Sequence, residues 1–217
     1  MTAISRSIRK APRDQEQASG IMQSVRVFAG VDEAGRGALA GAVVAAAVVL
    51  DPSTAIAGLR DSKKLTAGRR EVLNQQIKER ALYWSVGRAE VGEIDEINIL
   101  QASLLAMKRA VEALTFPVEY VIVDGNRCPH LSCQVACLIK GDSILEAIMA
   151  ASIIAKVSRD QEMVELDSRF PNYGLAKHKG YGTKAHLAAI NEFGATDVHR
   201  KSFAPMKFRQ GELAFDE

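Results

Sequence analysis

Val25-Arg26-Val27-Phe28-Ala29-Gly30-Val31-Asp32-Glu33-Ala34-Gly35-Arg36-Gly37, followed after a short gap by Ala42-Val43-Val44-Ala45-Ala46-Ala47-Val48-Val49-Leu50, is the stretch that decides the fold. Residues 25–31 are β-branched and apolar, which reads as a strand. Two acids follow, then a pair of glycines that permits a tight turn. The Val/Ala run at 42–50 has strand length and is closed by Asp51-Pro52. Two strands joined by a Gly-rich turn predict an antiparallel hairpin.

Outward from that hairpin, residues 67–80 read as a helix with Val72, Leu73 and Ile77 on one face. Residues 81–91 alternate well enough for a third strand. Residues 98–114 form an amphipathic helix stopped by Phe116-Pro117. A strand at 118–123 ends in Asp124-Gly125-Asn126, and another at 134–139 ends in Lys140-Gly141-Asp142. A long helix over 143–169 carries Ala147, Ala151 and Ala155 as a stripe narrow enough to lie close to a sheet, and Pro171 and Gly174 end it. Three opening strands followed by strand–helix alternation predict an α/β fold: a five-stranded mixed sheet flanked by helices.

The chain has 217 residues, 47% of them hydrophobic, enough for one domain with a sizeable core. Its net charge of +2 excludes a histone-like polycation, so nucleic-acid binding has to rest on local patches. One patch is evident: residues 171–210 hold seven Lys and Arg against two acids. The longest apolar run is about half of what a membrane span needs. Residues 1–24 read as a disordered extension, 25–170 as the catalytic domain, 171–209 as a basic substrate-binding part and 210–217 as a flexible tail. Cys128, Cys133 and Cys137 are odd in number and lack the spacing of common zinc sites, so they read as free thiols in a reducing compartment. A cytoplasmic location of bacterial type and a monomer are the expectations.

Asp32, Asp124 and Asp142 each close an inferred strand, with Glu33 beside Asp32. Aspartate at a strand end is also explained by Asx-turn chemistry, so the functional reading depends on convergence. If the strand ends meet, four carboxylates share one small space and raise one another's pKa values. All-oxygen ligands select hard ions such as Mg²⁺ or Mn²⁺, and two of them form the usual clamp for phosphodiester hydrolysis. Gly35, Arg36 and Gly37 either turn the chain or bring backbone close to a ribose 2′-OH. Lys63 and Lys64 read as phosphate contacts or as a solvated face. Tyr181, between Gly180 and Gly182, either lies flat on a sugar or base or packs in the core.

Taken in order, Asp32-Glu33-Ala34-Gly35-Arg36-Gly37, Asp61-Ser62-Lys63-Lys64-Leu65, Asp124-Gly125-Asn126, Lys140-Gly141-Asp142, the 150–160 segment, Lys179-Gly180-Tyr181-Gly182-Thr183 and His199-Arg200-Lys201-Ser202-Phe203 resemble the ribonuclease HII family over residues 25–208. The resemblance implies a ribonuclease H-like fold with a small C-terminal helical part. It implies that Asp32, Glu33, Asp124 and Asp142 are catalytic, holding two divalent ions. It further implies that Gly35, Arg36 and Gly37 read the 2′-OH and that Tyr181 recognises the neighbouring sugar. The implied activity is hydrolysis of the RNA strand of RNA–DNA hybrids and cleavage 5′ of ribonucleotides embedded in duplex DNA, leaving 3′-OH and 5′-phosphate. A Holliday-junction resolvase of the same fold and a non-catalytic hybrid-binding module are the competing classes. Ala38 and Ala42 stand where many family members carry proline. Asp160, in a family motif, is a rival fourth carboxylate, although Lys156 at i−4 offers it an ion pair. The spacing of Gln210, Leu213 and Phe215 in the tail resembles peptides that dock on a sliding clamp.

Overall fold

The computed structural model describes residues 27–60 and 62–206. The expected extension at 1–24, Asp61, and the tail at 210–217 with Gln210, Leu213 and Phe215 lie outside the described residues. Five strands, β1 (Ala29–Ala34), β2 (Val43–Val49), β3 (Tyr83–Ala89), β4 (Tyr120–Asp124) and β5 (Gln134–Leu138), form one sheet in the order β3-β2-β1-β4-β5. β2 pairs antiparallel with both β1 and β3, whereas β1, β4 and β5 run parallel to one another. The hairpin and the mixed sheet therefore form as the apolar pattern predicts. This strand order agrees with the ribonuclease H-like α/β architecture that the sequence resemblance implies.

All seven residues of β2 are buried. Val43, Ala45, Ala47 and Val49 join one core with the helix α2 (Val91–Glu112), while Ala46 and Val48 join another with α1 (Ala67–Arg80) and α3 (Glu146–Arg169). Helices on both faces explain why this strand has no polar alternation. Gly30 of β1 lies against the backbone of α3 at Ala147 and Ile148, where any Cβ would collide. Together with the alanines of α3 it lets helix and sheet approach closely. Overpacking of this kind costs about 1–3 kcal/mol, so Gly30 fixes the seat of the helix that underlies the site.

Three elements depart from the sequence pattern. β1 continues to Ala34, so Asp32 and Glu33 lie inside the ladder opposite Ala46 and Ala45, where residues 25–31 had defined the strand. Ladder hydrogen bonding with β2 carries the strand past the end of its apolar run. α2 starts at Val91, seven positions before the amphipathic pattern, because Glu90 and Glu93 form a reciprocal capping box. At Asn98 (φ 68°) the helix kinks, and the Asn98 side chain accepts from the Leu100 and Gln101 N–H groups to start the segment that the pattern located. The third departure concerns cysteines: Cys128 and Cys137 are joined in a disulfide, leaving Cys133 free. The chain after β4 doubles back on β5 and brings the two Cα atoms to 5.7 Å, a proximity that spacing alone does not reveal. The free-thiol reading of Cys128 and Cys137 is thereby corrected.

Beyond α3, the short α4 (Leu175–His178) and α5 (Lys184–Phe193) bury Leu175, Ala189 and Ile190 against Leu39, Ala40 and Met163. The C-terminal part thus packs on the β1–β2 connection and on the far half of α3. No helix among the described residues is long and apolar enough to cross a membrane.

Candidate active site

Sheet register brings the acids together. Val31 pairs with Val123 across the parallel β1–β4 ladder, so the next residues, Asp32 and Asp124, stand side by side at the same edge. Asp124 in turn pairs with Leu138 at the end of β5, and the short turn that follows delivers Asp142. Carboxylate oxygens of Asp32, Asp124 and Asp142 all lie within 4.8 Å of one another. Asp124 is held there by the Gly141 N–H at 2.6 Å, and Asp32 accepts from the Glu33 N–H at 2.7 Å. Glu33, the expected fourth carboxylate, is not part of that close group: it is paired with Arg36 at 3.2 Å and acts on Asp32 through its charge.

Electrostatics make the cluster costly as it stands. Burial pushes the Asp32 carboxyl well above the usual carboxylate range, and Glu33 and Asp124 push it further, while a hydrogen bond from Ser152 opposes this. Burial, then Asp142, raises Asp124, and burial raises Glu33 against the counteracting Arg36 guanidinium. Three acids pressed together, at least two of them resisting ionisation, form a donor set that fits hard divalent cations. Lys63 lies 3.4 Å from Asp142, with Lys64 exposed beside it. Asp160 lies elsewhere: its carboxylate is bound by Lys156 at 2.6 Å on α3.

Beside the acids, Arg36 and Gly37 are exposed at the tip of the β1–β2 connection. Ala38 bridges Tyr181 in a single antiparallel β-bridge, and the Leu39 N–H donates to the Gly180 carbonyl at 2.8 Å. The glycine turn and the tyrosine are therefore one surface. Tyr181 is 38% exposed, with Lys156 and Arg159 5.8 and 5.6 Å from its ring centroid, so the core-packing reading does not describe it.

The family model for Ribonuclease HII matches residues 29–208. The chain belongs to the ribonuclease HII family. It is a ribonuclease H-type, metal-dependent nuclease. Among solved structures it is similar to ribonuclease H2 from Pyrococcus horikoshii, at 26% identity and a TM-score of 0.72 over 88% of this chain and 100% of that one. It is also similar to the ribonuclease HII in the PCNA:RNase HII complex from Archaeoglobus fulgidus, at 25% identity and a TM-score of 0.66 over 80% of this chain and 93% of the other. Bst-RNase HIII in complex with Mn²⁺, at 21% identity and a TM-score of 0.65 over 88% of this chain and 71% of that one, shares the fold.

This ribonuclease HII also uses residues that no motif singled out for a task. Ser62 and Ser152 hydroxyls lie 2.8 Å apart in the core, with Ser152 against Asp32. The Thr196 N–H donates to His199 Nδ1, which leaves the His199 proton on Nε2, facing His186 Nε2 at 3.1 Å. His186 Nδ1 then donates to the Tyr181 carbonyl at 3.0 Å. Burial lowers both imidazoles, His199 to about 4, so the relay stays neutral and fixes the backbone of Tyr181. Arg200, counted from sequence within the basic patch, is fully buried and is not one of the patch's solvent-exposed side chains. Only a polar residue's burial distinguishes these roles, and sequence carries no direct signal of it.

Proposed function

We propose that this ribonuclease HII hydrolyses the RNA strand of RNA–DNA hybrids and cuts duplex DNA on the 5′ side of embedded ribonucleotides, with two Mg²⁺ or Mn²⁺ ions. The observation that carries the reading is the adjacency of Asp32, Asp124 and Asp142 to a turn and an exposed tyrosine already tied together by a β-bridge. Asp32, Asp124 and Asp142 hold the ions, with Glu33 as the fourth carboxylate. Divalent ions bound there supply charge neutralisation on the scissile phosphate and lower the pKa of water. The chain's own groups do the rest. Gly35, Arg36 and Gly37 offer backbone to the ribose 2′-OH, and the Tyr181 ring covers the adjoining sugar. Lys63 and Lys64 meet phosphates. Water's oxygen bonds to phosphorus as the bond to the upstream 3′-oxygen breaks, leaving 3′-OH and 5′-phosphate.

The PCNA:RNase HII complex of Archaeoglobus fulgidus supports a second element, docking of Gln210, Leu213 and Phe215 on a sliding clamp, which would bring the enzyme to newly copied DNA for ribonucleotide excision in the cytoplasm. The chain acts on its substrate as a monomer. The test is cleavage of labelled duplex DNA carrying one ribonucleotide, with Mg²⁺, Mn²⁺ or EDTA. A single metal-dependent cut 5′ of the ribonucleotide is expected. Equal cutting of an all-DNA duplex, or a cut that survives EDTA, overturns the reading.

A further inference from the structure

Two arginines lie inside the molecule directly under the exposed turn. Arg159 of α3 and Arg200 are 1% and 0% exposed. Among the described residues neither makes an ion pair with a carboxylate. Their donors go to main-chain carbonyls instead. Arg159 donates to Ala42 (3.2 Å), Ala40 (3.0 Å) and Lys179 (3.0 Å). Arg200 donates to Arg36 (3.0 Å), Ala38 (2.7 Å), Gly41 (3.0 and 2.8 Å) and Ala42 (3.2 Å). The Arg200 N–H also donates to Leu39 at 2.8 Å. From 38 to 42 every carbonyl is thus taken by one of these two residues.

A purely packing role is a poor account of this arrangement. Burying two like charges side by side is expensive, and burial, with repulsion from Arg159, holds Arg200 down to about 9. What guanidinium offers in return is five donors in a rigid fork, which a lysine's single ammonium lacks. The segment is also shaped around Arg159. Gly35 adopts φ +96°, and a Cβ there would collide with the Arg159 side chain. The same guanidinium sits under the Tyr181 ring and binds the Lys179 carbonyl, so it touches the turn and the tyrosine segment at once. With the carbonyls drawn inward, the Arg36 and Gly37 N–H groups have no acceptor among the described residues and remain at the exposed tip.

We infer that Arg159 and Arg200 are positioning residues that clasp the Arg36 carbonyl and those of 38–42 from beneath, so that the turn presents its amide donors and a positive potential to the nucleic-acid backbone. The inference rests on the proposed reading of the turn as the ribose-sensing surface. Neither arginine touches substrate. Both act through the main chain, and Arg159 also sets the spacing between the turn and Tyr181.

The test uses the full chain carrying Arg200→Lys or, as the milder change, Arg159→Lys. The first readout is amide hydrogen exchange without nucleic acid. Amides of Ala38, Leu39 and Gly41 should exchange at least tenfold faster in the variants while those of β1 and β2 are unchanged. Unchanged exchange in a folded lysine variant overturns the clasp. The second readout is binding in Ca²⁺ to a duplex containing one ribonucleotide and to the all-DNA duplex of the same sequence. The preference for the ribonucleotide should fall roughly tenfold, as expected for one lost hydrogen bond of about 1.4 kcal/mol. Affinity for the all-DNA duplex should hold. Full preference retained beside a lowered melting temperature overturns the positioning role and leaves a structural one. A wild-type protein with no preference overturns the reading of the turn instead, and the exchange measurement then decides the clasp alone.

Discussion

Two neighbouring regions of this molecule handle buried charge in opposite ways. At the sheet edge, Asp32, Asp124 and Asp142 are packed together, and burial with repulsion from neighbouring acids pushes Asp32 and Asp124 toward protonation despite the donors that each receives. Under the glycine turn, Arg159 and Arg200 are as deeply buried, yet their donors are almost fully used by carbonyls. The first region concentrates like charge, which the proposed divalent cations would relieve; the second has its donors met by the chain itself. The contrast fits the proposed division between a site that binds and a scaffold that orients, although a list of charged residues shows no such difference.

The largest effect should come from the acidic region. Asp124→Asn should lower cleavage by at least about a thousandfold, since several kcal/mol of transition-state stabilisation depend on the acids, while hybrid binding survives. Turnover near the wild-type rate at any Mg²⁺ or Mn²⁺ concentration would break the comparison. Asp142→Asn should be similarly severe.

Next comes the surface that the satisfied region supports. Tyr181→Ala should reduce cleavage at a single embedded ribonucleotide by roughly ten- to a hundredfold, in line with about 1–3 kcal/mol for one stacking contact. Because the ring is partly exposed, the melting temperature should barely move. Parallel loss of both would return Tyr181 to the core.

A smaller and oppositely signed effect is expected on stability without metal. The folded pKa values of Asp32, Glu33 and Asp124 are raised. Their stabilising contribution is therefore complete below the unfolded carboxyl values near pH 4 and is lost as pH climbs through the folded ones. In EDTA, Asp124→Asn should melt higher than wild type, by about 2–4 °C for each kcal/mol of repulsion relieved, with a gap that widens toward neutral pH and closes on adding Mg²⁺. A variant that melts lower at pH 8 in EDTA would show that Asp124 is already satisfied.

The smallest effect belongs to Asp160→Asn. Its carboxylate is engaged by Lys156 in an i,i+4 pair, worth about 0.3–0.5 kcal/mol where exposed and somewhat more when half-buried as here. Cleavage should stay within about twofold of wild type on that scale. A loss comparable to that of Asp142→Asn would exchange the roles of the two residues.

Much of this was legible in the chain. The Val/Ala run at 43–49 could only be a strand buried on both faces, and 67–80 carried its helix in the pattern of Leu73 and Ile77. Strand-end position marked Asp124 and Asp142, and the order of motifs marked the family. What sequence determined was periodicity, since each apolar residue must find the core, and the chemical type of the site, since a set of acids has one ligand chemistry. What tertiary structure alone decided was pairing. The β1–β4 register puts Asp32 beside Asp124, ladder bonds carry β1 through Glu33, the turn after β4 brings Cys128 to Cys137, and burial turns Arg200 from a surface charge into an internal donor. Each depends on groups distant in sequence competing for the same hydrogen bonds or the same space, and local pattern holds no record of that competition.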